Sequence, residues 1–201
     1  MALRDAILAA LLDGEASGYD LAKDFDSSVA NFWMATPQQL YRELERMASD
    51  GLIAARLVEQ DRRPNKHLFS LTDAGREQLR RFTAATPKPG AIREDLLVAV
   101  QAIDVGDAAA VREALIARIG LAEAKLAHYE RRQAELLDGR NEEQFLAGAA
   151  RVGPYLNLIR GLSFERENLA WCRRVIAVID RERAAEPTPR PAGPDRASRR
   201  R

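Results

Sequence analysis

The chain is poor in reactive side chains: 201 residues include one cysteine, two histidines and two tryptophans. Cys172 alone cannot form an intrachain disulfide, and between Trp171 and Arg173 in a helical pattern it reads as a small buried residue. His67 and His128 are too few and too far apart for a ligand cluster, so no metal site is expected. A nucleophile elbow and a phosphate-cradling glycine loop are also missing, so the sequence offers no catalytic residues, no cofactor and no enzyme class. No apolar run approaches the roughly 20 residues of a membrane span. Charge enters early, at Arg4 and Asp5, so neither a signal peptide nor a membrane partner is expected and the chain reads as cytoplasmic. Charge of a single sign is missing as well. The net charge is +1, and residues 1–84 carry 11 Lys and Arg against 13 Asp and Glu. Any surface for a polyanion must therefore come from segregation of charge, with Asp5, Asp13, Glu15, Asp20, Asp24 and Asp26 held away from it.

What the chain does have is concentrated between Phe32 and Leu71. Thr36-Pro37-Gln38-Gln39 reads as a helix start: Thr36 caps, Pro37 suits the first helical position, and Gln39 completes a capping box. Leu40, Leu44 and Met47 then recur on one face, leaving Gln38, Gln39, Tyr41, Arg42, Glu45, Arg46 and Ser49 on the others. Asp50-Gly51 ends the helix. An apolar run, Leu52 to Val58, a polar turn, Asp61 to Asn65, and an alternating segment, His67 to Leu71, predict a β-hairpin. A helix followed by a hairpin with a basic tip is the ground plan of a winged helix. Such a helix fits a DNA major groove roughly 12 Å wide, and Arg62, Arg63 and Lys66 at the tip would meet phosphates.

Ser17-Gly18-Tyr19-Asp20-Leu21, Phe32-Trp33, Thr36-x-x-Gln39-x-Tyr41, Asp50-Gly51-Leu52-Ile53, Arg63-Pro64 and Phe69 through Arg76 stand in the order and spacing of the PadR-like transcriptional regulators. The resemblance covers about residues 1–82. It implies a winged helix-turn-helix domain, double-stranded DNA as partner, and a homodimeric repressor. Gln39, Tyr41 and Arg46 match that family's recognition-helix pattern, with Gln38 and Arg42 as neighbours, and Lys66 sits where the wing has a basic residue. Two wing positions depart from the pattern: His67 replaces a second basic residue and Phe69 a tyrosine. The resemblance further implies a small aromatic effector, although no pocket is spelled out by Trp33, Tyr155, Phe164 or Trp171.

Punctuation divides the chain into a winged helix-turn-helix domain over 1–85, a linker over 86–92, a helical dimerisation domain over 93–183 and a disordered basic tail over 184–201. Within the first, helices are expected from Ala2 to about Leu12, from the Ser17 cap to about Val29, and from the Thr72 cap to about Ala84. Within the third, a short helix runs from Arg93 to Ile103, and a long one to about Asp138 spans roughly 48 Å. Val111, Leu115, Ile119, Ala122, Leu126, Tyr129, Gln133 and Leu136 form its apolar seam. A last helix is expected from Glu142 to about Arg183, kinked at Pro154.

That last helix carries two apolar stripes about 120° apart. One holds Leu162, Leu169, Cys172, Ile176 and Ile179; the other holds Phe164, Trp171, Val175 and Val178. A single neighbouring helix cannot cover both, so one stripe should pack on the same chain and the other on a partner chain or on the N-terminal domain. The fold class expected is mainly α with a small β-hairpin wing, followed by an antiparallel helical dimerisation arm. The function expected is a sequence-specific DNA-binding regulator that reads an inverted repeat as a homodimer and is released by a small molecule. The alternative is a winged-helix protein-interaction module without specific DNA binding; the amides and cations of the helix and hairpin argue for DNA.

Overall fold

In the computed structural model, residues 2–24, 35–59, 65–87 and 93–185 are described. The chain divides into two compact units, Met1–Ala91 and Ile92–Arg201. In the first, α1 (Ala2–Ala10) tightens into a 3₁₀ turn, Leu11–Asp13, and Gly14 at φ 131° reverses the chain. There follow β1 (Ala16–Ser17), α2 (Gly18–Asp24), α3 (Pro37–Ser49), β2 (Ile53–Val58), β3 (Lys66–Leu71) and α4 (Asp73–Ala84). Expected segments at Phe25–Val29, Phe32, Trp33 and residues 60–64 lie outside the described residues, as does the tail from residue 186.

The helix ends follow from local hydrogen bonding. Thr36 Oγ1 accepts the Gln39 N–H and Gln39 Oε1 accepts the Thr36 N–H, so the capping box closes on both sides. At the other end Gly51, at φ 72°, lets Leu52 N–H reach Met47 O and Gly51 N–H reach Ala48 O. That is a Schellman closure, which a residue with a Cβ adopts only with strain. Thr72 caps α4 by accepting the Gly75 N–H. Ile7, Leu8, Leu11, Leu21, Leu40, Leu44, Met47, Ile53 and Phe69 form one buried core, so α3 is anchored by its apolar face and presents Gln38, Gln39, Tyr41, Arg42, Glu45, Arg46 and Ser49 to solvent.

The sheet differs from the plain hairpin the sequence predicts. It has three antiparallel strands in the order β1-β3-β2, with Ile53 opposite Leu71 and Val58 opposite Lys66. Ala16 and Ser17 pair with Phe69 and Leu68. Two residues cannot display a period of two, so β1 left no pattern to read.

The second unit contains α5 (Asp95–Gln101), α6 (Ala108–Leu137), α7 (Glu142–Gly148) and α8 (Gly153–Ala185). Asp107 Oδ1 caps α6 by accepting N–H groups from Ala109 and Ala110, and Asp138 and Gly139 end it with positive φ. The expectation of one kinked helix from Glu142 to Arg183 is corrected here: two separate helices stand in its place. Ala149 is extended, and Val152 O accepts the first helical bond, from Leu156. Pro154 therefore lies in the first turn of α8, where its missing N–H costs nothing. Phe145 packs on Tyr155 across the break, with ring centroids 5.0 Å apart.

Helices α6 and α8 run antiparallel. Arg112 pairs with Asp180, Glu123 with Arg173 and Glu130 with Arg166, partners that advance along one helix as they retreat along the other. These exposed pairs set register more than stability. The energy lies in two buried clusters. One joins Ala122, Leu126 and Tyr129 to Leu158, Leu162 and Leu169; the other joins Val111 and Leu115 to Cys172 and Ile179. Between Leu162 and Leu169 along α8, Glu165, 2% exposed, accepts from Arg118 at 2.9 Å and Asn168 at 3.0 Å, with Lys125 Nζ 3.3 Å away. No described helix is long and apolar enough to cross a membrane.

Candidate nucleic-acid interface

Five residues of the outer face of α3, Gln38, Gln39, Tyr41, Arg42 and Arg46, are all exposed. They share that face because Leu40, Leu44 and Met47 are held in the core. Arg42 makes no ion pair among the described residues, so its guanidinium is available. Arg46 is more constrained: its Nη1 lies 3.3 Å from Glu43 Oε2. Glu43 also accepts from Arg4 Nε at 2.9 Å, and Arg4 Nη2 reaches Asp50 Oδ2 at 2.9 Å. The Arg4 pKa is raised, chiefly by its hydrogen bond to Glu43, against the opposing effect of burial. Arg4 thus ties α1 to both ends of the second half of α3. The sequence pattern gives no hint of this link, since pairs 39 residues apart leave no local signal.

Helix α2 stands behind α3. Ser17 Oγ accepts the Asp20 N–H at 3.1 Å and donates to Asp20 Oδ2 at 2.6 Å, which starts α2. The hydrogen bond from Ser17 holds the Asp20 carboxyl below its ordinary range; burial opposes this, and the charges of Lys66 and Lys23 assist. Gly18, buried at the first position of α2, supports the Tyr41 ring, which an added Cβ would strike. Tyr41 is 45% exposed, so one side of the ring rests on backbone and the other faces solvent.

Lys66 and His67 open β3 and are exposed, with His67 tilted against Phe69 at 6.3 Å between centroids. Arg62 and Arg63 lie outside the described residues. The acidic residues are partly sequestered: Asp5 is buried and accepts from Gln78 Nε2 at 3.1 Å, and Glu15 binds Arg56 at 2.6 Å. Glu45 remains exposed on α3 among the amides and guanidinium groups.

In the second unit the two stripes of α8 have different fates. Leu162, Leu169, Cys172 and Ile179 are buried and Ile176 is half-buried against α6. Phe164 and Val178 are 44% and 46% exposed, but Trp171 and Val175 are half-buried against the cluster of Val111, Leu115, Cys172 and Ile179, so half of the second stripe packs within its own unit, which corrects the expectation that a partner or the N-terminal domain covers all of it. Among the described residues no group of three or more His, Cys, Asp or Glu could hold a metal ion. An open groove lined by Leu12, Arg76, Leu79, Arg80 and Thr83 runs along α4 and contains no aromatic side chain.

Residues 7–81 match the family described as Transcriptional regulator PadR-like family, and residues 92–180 match Virulence activator alpha C-term. The chain is 31% identical over 193 residues to the Probable transcriptional regulator Rv1176c of Mycobacterium tuberculosis, covering 91% of this chain and 100% of that protein. To the Negative transcriptional regulator PadR of Bacillus subtilis it is 26% identical over 189 residues, covering 90% of this chain and 98% of that one. The crystal structure of Bacillus subtilis PadR in complex with operator DNA matches with a TM-score of 0.72 at 25% identity, covering 90% of this chain and 100% of that one.

Proposed function

The chain belongs to the PadR-like family of transcriptional regulators, and on that premise we propose that it is a cytoplasmic repressor that binds an inverted-repeat operator as a homodimer. The observation that carries this reading is α3 itself. Its apolar face is locked in the core, its start is fastened by a two-sided capping box, and its free face carries Gln38, Gln39, Tyr41, Arg42 and Arg46. A rigid, capped helix with amides and guanidinium groups outward can enter a major groove without first having to order itself. Lys66, with Arg62 and Arg63, supplies phosphate partners beside the groove, which position the domain but carry little sequence information.

The dimer follows from α8. Phe164 and Val178 stay exposed on α8 while Trp171 and Val175 are half-buried against the Val111, Leu115, Cys172 and Ile179 cluster, and a second copy of this chain is the proposed partner of the exposed pair. Two copies would hold two α3 helices about one DNA turn, roughly 34 Å, apart, which selects inverted repeats and blocks polymerase. Release by a small aromatic effector belongs to the same reading and rests on family resemblance.

The test is selection by the full-length protein from a randomised duplex library, followed by titration of the enriched sequence and of shuffled DNA. An inverted repeat enriched by a dimer is the expected result. Enrichment of no sequence, with equal weak binding to all duplexes, would leave a protein-interaction module as the better reading.

A further inference from the structure

We propose that Arg4, on α1, is a positioning residue for DNA binding: by neutralising Glu43 it releases Arg46 of α3 to a backbone phosphate. The inference rests on the DNA-binding reading above and concerns how that arginine becomes available. Glu43, Arg46 and Asp50 stand three and four residues apart, so they share one side of α3 and its C-cap. Glu43 Oε1 accepts from Arg4 Nε at 2.9 Å, Arg46 Nη1 lies 3.3 Å from Glu43 Oε2, and Arg4 Nη2 lies 2.9 Å from Asp50 Oδ2. Arg4 and Arg46 thus balance Glu43 and Asp50, and this side of the helix is neutral. Without Arg4 it would carry one negative charge beside a polyanion.

The two contacts to Glu43 are unequal, and the inequality sets the direction of exchange. The Glu43 side chain is 15% exposed and its shorter contact is to Arg4, which bridges to Asp50 as well. The Arg46 side chain is 60% exposed and holds Glu43 by the longer contact. An exposed pair three residues apart on a helix is weak and screened by salt, so a phosphate can take Arg46 while Arg4 keeps Glu43 paired. With Arg4 absent, the departure of Arg46 would leave a largely shielded carboxylate with no counter-charge among the described residues, which disfavours the exchange. The same logic meets the charge of the domain, where 11 Lys and Arg face 13 Asp and Glu over residues 1–84. A face of such a domain attracts phosphate only if its carboxylates are covered by cations that do not themselves need to reach the DNA.

Salt titrations of the full-length protein on a selected operator and on shuffled duplex DNA test the relay. Arg4→Gln should lower the slope of log affinity against log salt by about 0.9 on both, the equivalent of one phosphate. Adding Glu43→Gln should restore the slope, because Arg46 no longer has a carboxylate to stay with. In an Arg46→Gln background, Arg4→Gln should lower it no further, the coupling expected of two residues that act on one contact. Glu43→Gln alone keeps an oxygen for Arg4 Nε but no charge, and should bind shuffled DNA no more weakly than wild type. This arm decides the matter even if Arg4→Gln fails to fold, since weaker binding would make Glu43 an anchor for α3 and overturn the proposal. An unchanged slope in Arg4→Gln overturns it too. So does a loss that Glu43→Gln does not restore, which would make Arg4 a phosphate contact or a strut. A wild-type protein whose binding to every duplex is negligible overturns the DNA-binding reading itself, an outcome distinct from these.

Discussion

The Tyr41 ring rests on the α-carbon of Gly18: a methyl group placed there would stand 3.1 Å from Tyr41 Cδ1, 3.3 Å from Cζ, and closer still to Cε1. Two helices therefore meet through a close approach that only glycine permits. In Gly18→Ala the ring, exposed on its far side, is the part free to move, and alanine suits the first turn of α2. The thermal midpoint should change by less than about 4 °C, while operator affinity falls at least on the order of threefold as Tyr41 leaves its place. Parallel circular-dichroism melting and anisotropy titration separate the two effects. Unchanged affinity would mean that the position of Tyr41 is irrelevant to binding.

Gly75 presents the opposite case, because its obstacle cannot move. A Cβ there would overlap the carbonyl oxygen of Leu52, which already accepts from Thr72 Oγ1 at 2.9 Å and Thr72 N at 3.3 Å, and would press on Leu71 and Leu8. Gly75→Ala should destabilise the first unit by about 1–3 kcal/mol. Hydrogen exchange over residues 2–87 should speed up while exchange in α6 and α8 stays unchanged. Uniform protection in the variant would contradict the close approach.

The wing cations should act through charge. Replacing Arg62, Arg63 and Lys66 with alanine is expected to weaken binding to operator and unrelated DNA alike. The slope of log affinity against log salt should fall by about 0.9 for each phosphate that the variant no longer neutralises. Salt titrations in which variant and wild type run parallel would rule out the hairpin tip as a phosphate clamp.

Glu165 links stability to pH. Burial alone would raise its pKa, but hydrogen bonds from Asn168 and Arg118 and the charges of Arg118 and Lys125 hold it below the ordinary carboxylate value, which is about 4.3. A depressed carboxylate pKa gives stability that is complete above that ordinary value and is lost as pH falls through the lower folded-state value. Urea denaturation of wild type from pH 7 to 3 should therefore lose more stability below about pH 4.3 than Glu165→Gln does. The variant should be the less stable protein at pH 7, because Arg118 and Lys125 lose their buried counter-charge. Matching acid limbs would show that the cluster contributes nothing to folding.

The exposed Phe164 and Val178 of α8 predict assembly. Phe164→Asp with Val178→Asp alters two exposed positions, so the helices should still form, but sedimentation equilibrium should show monomers in place of the dimer expected of the wild type. Truncation after Gly161 removes the buried stripe too. With each large side chain worth roughly 1.5–3 kcal/mol on burial, α6 should lose its packing along with the dimer. A tight dimer in the double variant would place the interface elsewhere.

The sequence by itself determined the starts of α3 and α4, the stop after α3 and the apolar face of α6. Thr36, Thr72 and Gly51 act through hydrogen bonds or dihedral angles within a few residues, and the α6 seam from Val111 to Tyr129 is a period repeated many times. Such features are local or redundant, so they are legible along the chain. Only the tertiary structure decided what depends on distant partners. Pro154 can kink a helix or begin one, and its own neighbourhood permits both; the break stands where Phe145 folds onto Tyr155. Strand β1 exists because β3 offers an edge to Ala16 and Ser17. Glu165 looks like any solvated helix carboxylate until Arg118 and Lys125, 47 and 40 residues earlier, close over it. Gln39 shows the division within one side chain. Its place in the capping box follows from four consecutive residues. That the box closes on both sides, with Oε1 on the Thr36 N–H and the Gln39 backbone N–H on Thr36 Oγ1, follows only from the folded geometry.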